Sequence, residues 1–195
     1  LEEKMFEDVK IVQLRVHDGD DASCFNLNRA QRPRLIGVDP KELQQRKAFL
    51  FSKQIDTGKT NGWDLLNLSL GRDVTAAVGD EATVKWALGK SIGDEIDYTD
   101  DRGQKFRLRI VGIVKNSILQ GGLVISEEEF IKRFLSEEGH RMFLIDAPAE
   151  RGKIISERLS DRLKDFGLEI TTTRERLAAF GAVENTYLSI FQFLG

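Results

Sequence analysis

The sequence has little of what builds disulfide scaffolds or nucleic-acid-binding surfaces. Its 195 residues include one cysteine, Cys24, so no intrachain disulfide can form. This leaves the compartment open, because many exported domains with adequate cores have no disulfide. The 29 lysines and arginines are outnumbered by 32 aspartates and glutamates. With a net charge of −3 and no basic stripe, the chain is not expected to bind nucleic acid or an anionic membrane surface through charge.

Recognisable catalytic signatures are also missing. The two histidines, His17 and His140, are far apart in sequence, and no HExxH or CxxC motif is present. Residues 58–60 (GKT) resemble the end of a phosphate-binding loop, but its leading glycine is replaced by Lys53. Paired carboxylates stand at predicted turns and helix starts, where they stabilise local structure. We therefore expect no enzyme activity, no catalytic residue, no metal site and no cofactor.

The composition is that of an ordinary globular chain without separate domains on a linker. Apolar residues make up 41% and charged residues 31%, and there are only three prolines. A chain of this length buries roughly 70% of its unfolded surface. The opening, LEEKMFEDVK, is charged from its second residue and begins without methionine. It shows neither a signal peptide nor a complete span, and it suggests a segment of a longer protein.

The stretch 79–126 gives the clearest secondary structure. It predicts a helix over 80–88, a strand, a turn at 100–103 and a second, long strand. In that long strand Phe106, Leu108 and Ile110 alternate with basic residues, which indicates one buried face. From Ile110 to Val114 the apolar residues are nearly continuous, so we expect this end to be covered on both faces.

The rest of the chain alternates between strand and helix patterns. Capping signals open helices at Asp39, Ser126 and Thr172, and a helical stripe over 148–166 lies between strands 141–146 and 168–172, which predicts a β-α-β unit. The helix after Ser126 is expected to turn Phe130, Ile131, Phe134 and Leu135 inward. The other predicted strands are 9–16, 35–38, 48–51, 74–78 and 121–125.

Four residues are candidate contacts for a partner or substrate. The irregular stretch 22–34 supplies three of them, Phe25, Asn26 and Arg29. The fourth is Trp63, on the apolar face of a predicted helix over 61–70, where it would line a ligand groove or lie in the core.

The last helix changes character along its length. It is amphipathic up to Ala179 and almost entirely apolar from Val183 onward. It is either a terminal core helix or the first part of a membrane span, which needs about 20 apolar residues. In the second case the residues that enter the membrane are Tyr187, Leu188, Ile190, Phe191, Phe193 and Leu194.

Several motifs in a fixed order carry a family resemblance. They are IGVDP at 36–40, LG at 88–89, IGDEI at 92–96, Phe106, VGIV at 111–114 and the closing VENTYLSIF at 183–191. The resemblance extends over most of the chain, from about residue 9 to the end. The sequence resembles the extracytoplasmic core domain of MacB/FtsX-type ABC transporter permeases.

This resemblance implies an α+β, mixed-sheet domain with two lobes: a membrane-proximal, porter-like β-α-β lobe (1–46 and 117–195) and an inserted β-rich lobe (47–116). It implies transmembrane transport, with a cytoplasmic ABC ATPase as partner, a second permease copy, and a place on the periplasmic side of the bacterial cytoplasmic membrane. The alternatives are a free-standing ligand- or partner-binding module and a soluble hydrolase. No residue indicates which substrate is handled, or the direction of transport.

Overall fold

The structure is a computed structural model that describes residues 6–19, 32–47, 49–115 and 117–181. Within these ranges eight strands form one sheet, in the order β3-β6-β4-β7-β2-β1-β8, and β5 pairs with β6. The strands are β1 (Lys10–His17), β2 (Arg34–Val38), β3 (Phe51–Gln54), β4 (Val74–Asp80), β5 (Glu95–Thr99), β6 (Lys105–Val114), β7 (Gly122–Ser126) and β8 (Met142–Asp146).

The helices between these strands are short. They are α1 (Pro40–Arg46), α2 (Glu127–Arg133), α3 (Gly152–Leu163), 3₁₀ turns at Gly62–Asn67 and Lys164–Phe166, and a π-helical turn at Ala82–Ala87. Residues 173–181 are also helical. The pairs β2–β7 and β4–β6 are parallel, while β1–β2, β4–β7, β3–β6 and β5–β6 are antiparallel. The predicted α+β fold with a mixed sheet is confirmed.

The register aligns one end of the sheet across five strands. His17 at the end of β1 is opposite Leu35, which is opposite Leu123. Leu123 is opposite Gly79 near the end of β4, and Gly79 is opposite Ile113 near the end of β6. We call this row of five residues the His17 end of the sheet.

Apolar side chains cover both faces of the sheet. On one face they pack against α1 and the 3₁₀ turn at Gly62–Asn67, and on the other against α2. Neighbouring residues in β2 divide accordingly, with Ile36 in the first cluster and Leu35 in the second. This two-sided burial explains why strands such as β4 and β7 are apolar without alternation.

Strand β6 is the longest strand, and its predicted pattern is confirmed. Its burial alternates up to Arg109 and is then continuous to Val114. β5 pairs with its first half and β3 with its second half. The register against β4 shifts near Val111, because Ala77 is opposite Ile110 and Val78 is opposite Gly112.

The described chain divides into two compact units, one of Leu1–Ile11 with Ile145–Gly195 and one of Val12–Leu144. The predicted lobes, 1–46 and 117–195 against 47–116, do not coincide with this division. The physical reason is strand pairing: β4, from the predicted inserted lobe, pairs with β7, from the other predicted lobe, within a single sheet.

The unit of Leu1–Ile11 with Ile145–Gly195 contains α3 and the last helical residues. Ile155 of α3 is 1% exposed, and Arg151 forms an ion pair with Asp8 at 3.6 Å. The predicted capping box is confirmed: Glu175 N–H donates to Thr172 Oγ1 at 3.2 Å, and Thr172 N–H donates to Glu175 Oε2 at 3.0 Å.

Some sequence predictions were wrong. Residues 168–172 form no strand, so the predicted β-α-β unit lacks its second strand, and α3 begins at Gly152 rather than near 148. Ile131 and Leu135 are 42% and 59% exposed instead of inward. For Leu135 the reason is that α2 ends at Arg133 and Phe134 leaves the helix with φ −123°, so the helical stripe does not continue to it.

Ser126 caps α2 from a buried position at the end of β7, and its side chain accepts a hydrogen bond from Glu129 N–H at 3.4 Å. We expect Ser126→Ala to lower the free energy of unfolding by about 1 kcal/mol, because the amide loses its partner. Urea denaturation measures this, with Ser156→Ala in the middle of α3 as the control, which should change stability by less than about 0.5 kcal/mol. Equal losses in the two variants would contradict the capping role.

Candidate functional site at the His17 end of the sheet

Ion pairs lie at the His17 end of the sheet. They involve residues close to positions 19 and 32, between which the structure does not describe the chain. Asp18 accepts from Arg34 at 3.0 Å and from Arg141 at 2.8 Å. Its burial raises its pKa, but the hydrogen bonds and positive charges of Arg141 and Arg34 outweigh this and hold the pKa below its usual value. The predicted contact residues Phe25, Asn26 and Arg29 lie between Asp18 and Arg34, outside the described residues.

Both histidines contact carboxylates in this region. His17 Nδ1 lies 3.0 Å from Glu137 Oε1, and its ring stacks on Phe134 with centroids 4.2 Å apart. His140 Nε2 lies 2.9 Å from Glu127 Oε1. Sequence reasoning missed this cluster, because the two histidines are 123 positions apart and only the fold brings them together.

Arg15 joins the two ends of this cluster. Its Nε donates to Glu127 Oε1 at 2.7 Å, and its Nη1 donates to the carbonyls of Glu137 and Gly139. The network therefore fixes the segment after α2 against β1. In the part of the chain that the structure describes, no three His, Cys, Asp or Glu side chains are grouped to hold a metal ion. The network can hold the surface formed by β1 and the segment after α2 in place, and we assign no proton-transfer chemistry to it.

Glu127 is the carboxylate shared by Arg15 and His140. Its burial raises its pKa, but the hydrogen bonds and charges of Arg15 and His140 outweigh this and lower it below 4.5. A carboxylate with a lowered pKa in the folded state stabilises the fold above its unfolded pKa. That stabilisation disappears as the pH falls through the folded pKa.

We expect Glu127→Gln to lower the free energy of unfolding at pH 7 by about 1–2 kcal/mol, since the hydrogen bond from Arg15 loses its charged acceptor. The gap from wild type should shrink as the pH falls below 4.5 and through the lowered pKa of Glu127 in the folded state, because the wild-type carboxylate then becomes protonated. Urea titrations at pH 7 and at pH 3 measure it. Glu128→Gln, exposed on the same helical turn, is the control and should show little change. A gap that persists unchanged at pH 3 would contradict the charge pairing.

Trp63 does not form a contact surface. It is 2% exposed in the core and packs edge-on against Phe49 and Phe51, with centroids 5.4 Å from each. Its backbone N–H donates to Gln44 Oε1 at 2.8 Å, which fixes the 3₁₀ turn to α1. Of the two interpretations that the sequence left open, the core position is the one found.

The 58–60 segment lies beside a shallow pocket of about 370 Å³, lined mainly by polar residues of 59–68. Two of its backbone amides are already bound by side chains: Gly58 N–H by Asp56 Oδ1 at 2.9 Å, and Thr60 N–H by Thr57 Oγ1 at 2.9 Å. A phosphate-binding loop needs such amides directed at the ligand. This segment is therefore an ordinary turn.

Several residues of the sequence motifs at 36–40, 92–96 and 111–114 lie at positions where the fold favours the amino acid that is present. Gly93 has φ +88°, and its N–H donates to the carbonyl of Ile110, which docks the turn before β5 onto β6. Asp39 accepts from Lys41 N–H and caps α1. A Cβ at Gly112 would lie 2.6 Å from the Phe51 ring, and one at Gly37 would lie 2.7 Å from Phe130.

The predicted membrane-entry residues, Tyr187, Leu188, Ile190, Phe191, Phe193 and Leu194, lie outside the described residues. Among the helices that are described, none has both the length and the apolar character of a membrane span.

The described fold is an α+β domain built on one mixed sheet with helices on both faces. No family model and no curated protein matches the chain. Among solved structures it is similar to the extracellular domain of the noncanonic ABC-type transporter YknZ from Gram-positive bacteria. The identity is 13% and the TM-score 0.39, covering 79% of this chain and 72% of that one.

A second similar structure is the periplasmic region of MacB from Actinobacillus actinomycetemcomitans. The identity is again 13% and the TM-score 0.38, covering 91% of this chain and 73% of that one.

Proposed function

We propose that this chain is the extracytoplasmic domain of an ABC transporter permease subunit, on the periplasmic side of a bacterial cytoplasmic membrane. The observation that supports this is the ordered set of permease-like motifs. Four of their residues, Gly37, Asp39, Gly93 and Gly112, occupy positions where a close approach, a helix cap or a positive φ requires the residue type. Motifs tied to the fold in this way are not chance matches of composition.

In this proposal the domain passes ATP-driven movement of membrane helices to a substrate or partner outside the cytoplasm, for export, release or control. Movement of this kind needs rigid connections at both ends of the domain. The first and last described parts of the chain belong to one compact unit, which suits an insertion between two spans. A separate cytoplasmic ATPase supplies ATP hydrolysis, a second permease copy completes the transporter, and the domain itself is not an enzyme.

Thiol labelling of the full-length gene product in spheroplasts tests the location. Lys105 is exposed at the start of β6, and Cys24 is the single cysteine of these 195 residues. Lys105→Cys with Cys24→Ser therefore gives one defined thiol once every cysteine outside these residues is replaced by serine. We expect a membrane-impermeant maleimide to label it without lysis, while Cys24→Ser alone stays unlabelled. Labelling that appears only after lysis would place the domain in the cytoplasm and contradict the proposal.

A further inference from the structure

Two large apolar side chains are exposed to solvent at the His17 end of the sheet. They lie beside β3, β6 and β4, whereas the ionic network lies beside β1 at the other side of the sheet. Trp86 is 82% exposed and Leu50 is 74% exposed. Single exposed apolar residues are common on soluble proteins. A tryptophan that is almost fully exposed is less common, because burying its large side chain stabilises a protein strongly and because Trp is enriched where partners bind.

The register places these two residues near the same end of β6, on its two neighbours β3 and β4. β4 ends opposite the end of β6, with Asp80 against Val114. Leu50 comes directly before β3, and its carbonyl accepts from the N–H of Lys115, directly after β6, at 2.9 Å. Trp86 lies on the π-helical turn that starts two residues after β4. π-helical turns occur frequently at functional sites.

Positive charge is concentrated at the same place. Glu81 forms an ion pair with Lys85, one residue before Trp86. Its pKa lies below 4.5, through the hydrogen bond and charge of Lys85 first and then through the charges of Lys115 and Lys53. The three lysines outnumber the two carboxylates of this site, Glu81 and the buried Asp80, and this leaves an excess of positive charge near the exposed tryptophan.

We propose that Trp86, Leu50, Lys53, Lys85 and Lys115, which we call the Trp86 surface, bind an acidic segment of a partner protein that carries at least one large apolar side chain. Carboxylates of the segment pair with the lysines, which steers the encounter. Its apolar side chain covers Trp86 and supplies most of the affinity.

The choice of a protein over a lipid surface rests on the proposed function. β1 runs towards the His17 end and begins at the opposite end of the sheet. Its eight residues span about 26 Å. If the chain enters β1 from the membrane, the Trp86 surface points away from that membrane.

Selection from a displayed library of random 12-residue peptides against the 195-residue chain tests the inference, with counter-selection against Trp86→Ser. Synthetic copies of the selected peptides are titrated while Trp86 fluorescence is followed, since Trp63 is buried and supplies a constant background. Vesicles of phosphatidylcholine with 30% phosphatidylglycerol are the lipid probe. Leu135→Ser, at another exposed apolar site, and Lys105→Glu, at the other end of β6, are the matched controls.

We expect the Trp86-dependent peptides to be acidic and to contain a large apolar residue. Lys85→Glu combined with Lys115→Glu should weaken them by on the order of tenfold or more, while the controls bind as wild type does. Peptides that are neutral or basic, an absence of Trp86-dependent peptides, or Trp86-dependent vesicle binding would overturn the inference. None of these outcomes depends on spheroplast labelling, so the inference and the proposed function can fail separately.

Discussion

Replacing Trp63 by alanine is expected to lower the free energy of unfolding by about 3–5 kcal/mol. The side chain is 2% exposed and lies between Phe49 and Phe51. Truncation removes its burial and leaves a cavity that the sheet behind it cannot close. Two edge-to-face aromatic contacts are lost as well.

Trp63→Phe separates the effect of lost packing volume from the effect of the buried polar indole nitrogen. Within the described residues, the indole Nε1 is buried without a hydrogen-bond partner. Phenylalanine keeps much of the apolar volume and removes that polar atom, so we expect a cost of only about 1–2 kcal/mol. Trp86→Ala, at an exposed site, should change stability by less than about 0.5 kcal/mol. Urea denaturation compares the three, and similar losses for Trp63→Ala and Trp86→Ala would contradict the core position of Trp63.

Gly37→Ala is expected to destabilise the domain by about 1–3 kcal/mol through overpacking. The added Cβ would lie 2.7 Å from both Cβ and Cγ of Phe130. Because Phe130 Cβ is fixed to the backbone of α2, rotating the phenyl ring cannot relieve the contact. The helix has to move away from β2, which weakens the apolar layer on that face.

A double-mutant cycle shows whether this contact is the cause. Phe130→Ala alone should cost about 3–5 kcal/mol. It removes the ring atoms Cγ and Cδ2 but retains Cβ, so the cost of Gly37→Ala should shrink in part in that background. Gly152→Ala is the control, because its added Cβ meets nothing within 4 Å and it lies in a helix, where alanine is favoured. Fully additive losses at Gly37 and Phe130 would contradict the contact.

The features that sequence predicted well depend on neighbouring residues. The change in β6 from alternation to continuous burial can be read from 105–114, because it reports which faces are covered. The caps at Asp39, Ser126 and Thr172 also follow from local chemistry, since each cap binds an amide two or three residues away.

The features that sequence missed depend on distant partners. The segment 168–172 has a strand-like composition, but a strand exists only where another strand pairs with it, and no strand in the described ranges does so. The contacts of His17 and His140 arise because β1 and the segment after α2 meet in the fold. The π-helical turn that displays Trp86 was predicted as an ordinary helix, since one extra residue per turn has no marker in composition.

The two lobes (1–46 with 117–195, and 47–116) stay a prediction that rests on the family resemblance, because the sequence shows no linker at 46 or 116. Among the described residues β3, β4 and β6 belong to the same sheet as β2 and β7. Strand order across a sheet is not encoded in the spacing of apolar residues.

The central claim is that this chain is the extracytoplasmic domain of a permease. The most direct measurement is to read the coding sequence on both sides of the chain and score its hydropathy. The account predicts a span of about 20 apolar residues upstream of Leu1 and a continuation of the apolar run at 187–195 to similar length, with further spans downstream. A reading frame without apolar spans on either side would contradict it and favour a free-standing binding module.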